Sequence, residues 1–308
     1  MSKTPGEITG PVDWEIENVR GYVACPGIAL HTTPTKGRDT TLFLDRVPTI
    51  FCLHTACKPL VRVANAALRA ALRSSGEWNP PPLDAAAKAK LTHASELARQ
   101  HRRLALARAD VLAAYAWSPA EIRADSPVPT ATLTCADFLA ALFAPDDVVW
   151  FGEPRDSGGW NNVGNFREVR RWRTLVGTPA PFTCANTFKP GGFARTKDNL
   201  ANRRHMVVEC DSLSPHPETN RALSGAVFKY VLTVRPELRL RAVIDSGNKS
   251  LHAWFDYTPA AYDWAVAVLP ALGVDAATLR LAQPVRAPGW TRVETGRSQD
   301  LLYLNSAT

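Results

Sequence analysis

From about residue 133 to its last residues, the chain alternates helical runs with short β-type runs. The helical pattern of CADFLAALF is followed by four runs rich in apolar or alternating residues, DVVWF, HMVVECD, LRAVIDS and SLHAWFDY. Short runs of this kind, bounded by turn residues, are typical of β-strands. The alternation predicts an α+β or α/β domain of about 170 residues.

Two proline-rich segments interrupt the chain before that domain. The segment GEWNPPP cannot continue a helix, so we place a domain boundary near residue 80. The segment SPAEIRADSPVPTATL predicts a second linker or loop. These breaks divide the chain into a small module with its following helix (1–80), a basic helical linker (81–130) and a main domain (131–308).

The linker is a long basic helix in this interpretation. Between Lys88 and Arg108 the only acid is Glu96. The basic residues form either a solvated face, which is the more common case, or a surface that contacts nucleic acid. Lys plus Arg outnumber Asp plus Glu by 36 to 29, and the formal charge of +7 would attract a polyanion without identifying one.

Hydropathy argues against a membrane location. No run approaches the roughly 20 consecutive apolar residues that a membrane helix needs, and MSKTPGEITG lacks the profile of a signal peptide. We therefore expect a soluble cytoplasmic protein with no membrane partner. Six cysteines are too few for a disulfide framework in such a chain, so they indicate either metal binding or packing.

Four cysteine and histidine residues in the first module have metal-ligand spacing. Cys25, His31, Cys52 and Cys57 are separated by five, twenty and four residues, with a predicted hairpin in the long gap. This layout is typical of a zinc ribbon with closed tetrahedral coordination, although merely buried side chains are the alternative. His54 is an alternative fourth ligand. The remaining cysteines have no such partners and are interpreted as packing residues: Cys135, Cys184 and Cys210.

Two acids end the predicted strand HMVVECD. Side chains alternate faces along a strand, so Glu209 and Asp211 project to the same side. Neighbouring carboxylates repel each other unless a cation or a proton lies between them, and such oxygen ligands suit Mg²⁺ or Mn²⁺. The alternative interpretation is an exposed strand end with two solvated acids.

The next β unit, LRAVIDSGNKSLHAWF, predicts a strand, a glycine turn and a second strand. Ser250 and His252 alternate with apolar neighbours, so both face one side, where they can donate to phosphate oxygens. Gly247 would let backbone amides approach an anion closely.

A third segment, GVDAATLRLAQPVRAPGWTR, supplies one more acid and two arginines. Asp275 either completes a metal site or caps the helical run that follows it. Arg286 and Arg292 keep their charge near neutral pH and are suited to holding a triphosphate.

The order of these segments resembles the three motifs of the archaeo-eukaryotic primase superfamily, particularly the primase-polymerases of plasmids, phages and integrated elements. The motifs are Glu209-x-Asp211, Ser250-x-His252 after a glycine turn, and Asp275 followed by an Arg-x-Pro-Gly sequence. The resemblance covers about residues 133–305, including the lead-in LFAPDDVVWFGEP and CANTFKPGGFARTKDNLANRRHMVVECD. Glutamate instead of aspartate at the first acidic position departs from the usual pattern.

The resemblance implies an α+β primase core, with an RRM-like sheet plus an α/β module, preceded here by the zinc-ribbon-like module and the helical linker. It implies a nucleotidyltransferase, a DNA-directed primase-polymerase that makes primers on single-stranded DNA, in replication of a mobile element. Glu209, Asp211 and Asp275 would hold the catalytic Mg²⁺ or Mn²⁺. Residues expected to contact nucleotide or template are Ser250, His252, Lys249, Arg286, Arg292, Arg195, Lys197 and Asn199.

Partners follow from the same resemblance. They are a single-stranded DNA template, nucleoside triphosphates, and a replicative helicase or single-strand-binding protein, since the chain has no nucleotide-hydrolysing P-loop motif. The Cys-His-Cys-Cys order resembles the zinc ribbon of bacterial primases, which implies template reading. Two alternatives remain open at this point: a non-catalytic DNA-binding replication-initiation module, and a metal-dependent nuclease.

Overall fold

A computed structural model describes residues 9–16, 19–31, 39–45, 47–78, 85–155, 159–160 and 164–306. The chain divides into two compact units, Met1–Lys88 and Ala89–Thr308. The sequence suggested a boundary near residue 80 and a separate linker over 81–130. In the structure the chain divides once. The apolar side chains of Leu104, Trp117 and Ile122, which belong to that expected linker, pack into the core of the second unit.

The N-terminal unit is an antiparallel sheet covered by one helix. Its strands pair in chain order, β1 (Asp13–Ile16), β2 (Arg20–Tyr22), β3 (Thr40–Phe43) and β4 (Thr49–Cys52). Helix α1 (Lys58–Ser74) is amphipathic and buries Leu68 and Leu72 against Leu42 and Ile50 of the sheet. The hairpin predicted between the second and third candidate zinc ligands is therefore confirmed.

Two segments of the C-terminal unit differ from the prediction. The long basic helix of the linker breaks at Ala107 into two helices, and the segment SPAEIRADSPVPTATL, expected to be a linker or loop, begins with a short helix. The helices are α2 (Ala85–Leu106, which begins before the boundary), α3 (Arg108–Ala114), α4 (Pro119–Ala124), α5 (Cys135–Leu142), α6 (Val169–Trp172), α7 (Pro217–Val234) and α8 (Pro259–Val268). Both α4 and α5 begin with a capping box, at Ser118 and Thr134, which explains why they start where they do.

Two antiparallel sheets build the rest of this unit. The strands are β5 (Val148–Gly152), β6 (Phe166–Glu168), β7 (Phe182–Cys184), β8 (Thr187–Phe188), β9 (Leu200–Asn202), β10 (His205–Glu209), β11 (Leu240–Asp245), β12 (Leu251–Asp256), β13 (Pro284–Arg286) and β14 (Leu301–Leu304). One sheet has the order β10-β12-β11-β14, and the other the order β13-β7-β5-β8-β9 with β6 paired to β5.

The first of these sheets contains a split β-α-β unit. Strands β10 and β11 are joined through α7, and both run antiparallel to β12, which lies between them. One face of this sheet packs on α7 and α8 through side chains such as Val208 and Phe255. The other face packs against the second sheet through Val207, Ile244 and Trp254. The edge of that inter-sheet layer is where the predicted site residues lie.

The α+β class expected from the sequence is confirmed, since helices pack on sheets that are antiparallel throughout the described residues. Within the same residues, the structure has no helix with the length and hydropathy to cross a membrane.

Candidate functional site

Strand β10 carries Glu209 to the edge of the inter-sheet layer. Its register pairs Glu209 with His252 of β12. Met206 and Val208 point into the helical core, while Val207 points to the opposite face. Because side chains alternate, Glu209 joins the face of Val207. The strand ends at Glu209, so Asp211, which was expected on the same strand, lies just beyond it.

Ser250 and His252 both contact the Glu209 carboxylate. Ser250 Oγ donates to Glu209 Oε1 at 2.8 Å, and His252 Nε2 lies 3.3 Å from the same oxygen. Burial alone would raise the pKa of Glu209, but the charge and hydrogen bond of His252 and the hydrogen bond of Ser250 outweigh it and lower the pKa to about 2. The carboxylate is therefore ionised at any working pH.

The turn between β11 and β12 fixes Ser250 in place. Gly247 has a φ of 69°, and a Cβ there would lie 3.0 Å from the carbonyl oxygens of Arg297 and Ser298. Ser246 Oγ accepts from the Ser250 backbone N–H at 3.2 Å, and Asp245 Oδ1 accepts from the Gly247 N–H at 2.9 Å. Only glycine satisfies both the left-handed conformation and the close approach.

Two buried polar residues of α7 support this corner, and neither was predicted from the sequence. Asn220 donates to the carbonyl oxygens of Cys210 and Lys249, each at 2.8 Å, so it ties the end of β10 to the turn. Arg221 hydrogen-bonds the carbonyl oxygen of Asn248 and lies 3.6 Å from Asp245. The sequence offered one signal for Asn220: it lies one helical turn before Ser224, so both polar residues belong to the same face of α7, which packs inward.

The other two predicted acids lie beside Glu209. The Asp275 backbone N–H donates to the Glu209 carbonyl oxygen at 2.9 Å, although 65 residues separate them in sequence. Asp275 Oδ1 accepts from the Ala277 N–H at 2.8 Å, so Asp275 also caps a turn; the helical run expected after it is not formed. The half-exposed Asp211 faces Lys249, with Oδ2 and Nζ 3.9 Å apart.

These residues line one open cavity of about 380 Å³. Its lining joins acids and cations from distant parts of the chain: Glu209, Asp211, Asp275, Lys249, Arg286 and Arg292. It also includes Ser250 and His252. Two further lining residues, Trp160 and Phe182, were not predicted from the sequence. An isolated aromatic residue carries no signal of this role in sequence.

The two arginines are held in the cavity wall. Burial and the neighbouring charge of Arg292 lower the pKa of Arg286 to about 10, so it remains a cation near neutral pH. The Arg286 guanidinium lies 4.0 Å from the centre of the Phe182 ring. Arg292 Nη1 is 3.5 Å from the carbonyl oxygen of Ser246.

Three residues that were expected to contact nucleotide or template do not line this cavity. Lys197 is exposed in a short 3-10 turn that also contains Asn199, and Asn199 Nδ2 donates to the Ala194 carbonyl oxygen at 2.8 Å. Arg195 lies between two indole rings, 4.4 Å from the centre of Trp150 and 4.7 Å from that of Trp160. Arg195 therefore contacts the back of the cavity wall, because its side chain points into the aromatic cluster.

The donor set of the cavity suits a hard divalent cation. Three carboxylates supply oxygen ligands of the kind that Mg²⁺ and Mn²⁺ prefer. The oxygens of these carboxylates are not all within 4.8 Å of one another. Among the described residues, two sets of possible metal ligands are that close together, and both lie in the N-terminal unit. Binding of a cation would therefore require the three carboxylates to move closer together. The ion pair between Lys249 and Asp211 would then have to break.

The N-terminal unit brings together a Cys/His cluster that could hold a metal ion such as zinc. Ligand atoms of Cys25, His31, Cys52 and Cys57 all lie within 4.8 Å of one another. Cys52 Sγ and His31 Nε2 are 3.6 Å apart, close to the edge expected for a tetrahedron with Zn–S of about 2.3 Å and Zn–N of about 2.0 Å. The Gly27 N–H donates to Cys25 Sγ at 3.3 Å, which would stabilise a thiolate.

His54 lies beside the same cluster. Its Nδ1 is 3.7 Å from Cys52 Sγ, and its ring stacks on His31 with centres 3.9 Å apart. Both histidines are thus near Cys52, but His31 is the one grouped with all three cysteines, whereas His54 is grouped with His31 and Asp39. The other three cysteines are buried, and burial raises the pKa of both Cys135 and Cys184 to about 12, in line with packing roles; the third is Cys210.

Comparison of the chain with models of protein families, with curated proteins and with solved structures found no match. The function of the cavity must therefore be inferred from its residues and geometry.

Proposed function

We propose that this protein is a nucleotidyltransferase, a DNA-directed primase-polymerase that extends or starts chains on single-stranded DNA inside the cavity of the C-terminal unit. The observation that supports the proposal is the convergence of three motifs on one cavity. Glu209 and Asp211, the Ser250–His252 pair and Asp275 come from separate stretches of sequence, yet all line the same space with two arginines.

The sheet that carries these motifs also favours this function. A split β-α-β unit places Glu209 and His252 side by side in register, and an RRM-like sheet would supply the same unit. The second sheet is antiparallel, which differs from the α/β module that the resemblance implied. It contributes Arg286 from β13 to the cavity.

Each group in the cavity has a chemical role in this proposal. Glu209, Asp211 and Asp275 would hold Mg²⁺ or Mn²⁺, whose charge would lower the pKa of a 3′ hydroxyl and neutralise the triphosphate.

The chain's own cations act on the substrate directly. Arg286 and Arg292 hold the triphosphate through charge-assisted hydrogen bonds, and Lys249 adds a point charge. Ser250 and His252 keep Glu209 ionised and oriented, because the Ser250 hydroxyl and His252 Nε2 both face its Oε1. Either group would have to give up this contact before it could donate to a phosphate oxygen.

A nucleotide-incorporation assay tests the proposal. The full chain is incubated with single-stranded DNA, Mg²⁺ or Mn²⁺, and ribonucleotides or deoxyribonucleotides, with and without a primer. Glu209→Ala combined with Asp211→Ala should abolish incorporation while DNA binding, measured by fluorescence anisotropy, persists. A matched control replaces two exposed acids outside the cavity, Asp198 and Asp263, and should remain active.

The same assay distinguishes the proposed polymerase from the two alternative hypotheses for the site. Shortening of labelled single-stranded DNA without nucleotides would identify a metal-dependent nuclease. DNA binding with neither extension nor shortening would identify a non-catalytic replication-initiation module. Full incorporation by the double variant would refute the assignment of the acids.

The N-terminal unit serves the same function in this proposal. Its Cys/His cluster holds a structural zinc ion, and the module reads the single-stranded template. A separate helicase or single-strand-binding protein would open the duplex, in replication of a mobile element inside the cytoplasm.

A further inference from the structure

One wall of the cavity has an unexplained composition. Trp160 and Phe182, which we call the aromatic wall, line the same space as the acids and cations. Cations are enough to bind phosphates, and carboxylates are enough to bind a metal ion. Neither task requires two half-buried aromatic rings, which also pack on a core cluster that includes Trp150 and Phe188.

The aromatic wall is held rigid from behind. Trp160 and Phe182 meet edge to face, with ring centres 5.0 Å apart and planes at 87°. The Arg195 guanidinium lies between Trp160 and the fully buried Trp150, and Arg286 lies over Phe182. Arg195 Nη1 also reaches the carbonyl oxygen of Ala282 at 3.4 Å. These contacts fix both rings before any ligand arrives, which lowers the entropic cost of stacking on them.

Phe182 of the aromatic wall and the acid Glu209 lie on different sheets. Glu209 and His252 belong to the β10-β12-β11 sheet, whereas Phe182 and Arg286 are paired residues of β7 and β13. A ligand that spans this cavity meets carboxylates and a lysine on one side and aromatic rings on the other. A nucleoside triphosphate has this dual chemistry, with a polyanion at one end and a planar π-system at the other.

We propose that the aromatic wall is the nucleobase subsite of the incoming nucleotide, with Trp160 as the stacking residue and Arg195 as the positioning residue that holds Trp160 in place. This inference rests on the proposed function for its ligand. Stacking accepts every base because each has a π-face, so the wall selects nucleotides over bare polyphosphate without choosing among bases. Arg286 links the aromatic wall to the cations of the cavity, since it contacts Phe182 and lines the cavity together with Arg292.

The test compares equilibrium binding of two probes to the full chain in Mg²⁺ without template. One probe is a nucleoside triphosphate, taken in turn with each base, and the other is inorganic tripolyphosphate, which has no base. Wild type should prefer every nucleoside triphosphate by about tenfold, the scale of one base–aromatic stacking contact. Trp160→Leu should abolish that preference and leave tripolyphosphate binding unchanged, whereas Trp160→Phe should keep most of it.

The ratio of the two affinities is measured within one variant, so partial unfolding lowers both and cannot imitate the result. Arg195→Leu should lower the ratio less than Trp160→Leu, because the ring remains. Phe193→Ala, which removes an exposed aromatic side chain outside the cavity lining, should leave the ratio unchanged. A wild type that binds both probes equally, or binds neither, would overturn the proposal, as would equal losses of both probes in Trp160→Leu.

The outcome is distinguishable from failure of the proposed function. If the preference for nucleoside triphosphates depends on Trp160 but no incorporation occurs on DNA, the subsite stands and the polymerase assignment falls. If incorporation occurs and Trp160→Leu weakens only the binding of single-stranded DNA, the wall serves the template and the subsite assignment is wrong.

Discussion

Replacing Glu209 with Gln should remove part of the pH dependence of the stability of the C-terminal unit. Burial raises the pKa of this carboxyl, but His252 and Ser250 outweigh burial and lower it from 4.5 to about 2. A group whose pKa is lower in the folded state stabilises that state above the unfolded pKa. The contribution is lost as the pH falls through the folded pKa.

The magnitude follows from the two pKa values. A drop from 4.5 to about 2 corresponds to about 3 kcal/mol of stabilisation near pH 5, at about 1.4 kcal/mol per pKa unit. Near pH 3 about 1 kcal/mol should remain. Between these two conditions the wild type should therefore lose about 2 kcal/mol more stability than Glu209→Gln.

The measurement is urea unfolding at each pH, read from hydrogen exchange of peptides that span β10 and β12. This readout excludes unfolding of the N-terminal unit. Ser250→Ala is the matched comparison, because it removes one hydrogen bond to Glu209 and keeps His252; its pH dependence should be intermediate. If wild type and Glu209→Gln lose stability in parallel, the carboxylate is not held by His252 in the way the geometry indicates.

Three further perturbations test other parts of the structure. Cys52→Ser, or a strong chelator, should release about one zinc ion per chain and unfold the N-terminal unit, which metal analysis and circular dichroism would detect; an unchanged thermal midpoint would argue for packing alone. Gly247→Ala should cost about 1–2 kcal/mol or more, because the new Cβ meets two carbonyl oxygens in a left-handed turn, and an unchanged thermal midpoint would contradict the turn geometry. Asn220→Ala leaves four backbone groups without their hydrogen-bond partner and should lower stability by about 3 kcal/mol in urea unfolding, whereas Asn248→Ala, which removes a half-buried side chain that makes none of these four bonds, should lower it less.

Local patterns were sufficient for several elements and for the identity of the acidic residues. The pattern of HMVVECD predicted a strand that carries Glu209, and β10 confirms it over His205–Glu209, because strand geometry is the same in every sheet. The pattern of CADFLAALF likewise predicted a helix, and α5 confirms it, whereas the capping box at Ser118 starts a helix in a segment that was expected to be a linker or loop. The hairpin between the candidate zinc ligands was likewise predictable.

Long-range placement was not predictable in this way. Nothing in the sequence near Trp160 or Phe182 indicates that these rings face Glu209, because that contact depends on how two sheets pack. The basic segment 81–130 was interpreted as a linker, since its charge pattern suited a solvated helix. In the tertiary structure Leu104 and Ile122 join the main core, because burial of their apolar faces outweighs the surface signal.

By itself, then, the chain determined which residues alternate, which turn needs glycine and which carboxylates end a strand, since each depends on backbone geometry within a few residues. The tertiary structure alone decided that Asp275 hydrogen-bonds the backbone of Glu209, that Asn220 ties the strand end to the turn, and that an aromatic wall faces the acids. Those are contacts between segments far apart in sequence, and only the packing of sheets and helices brings them within reach.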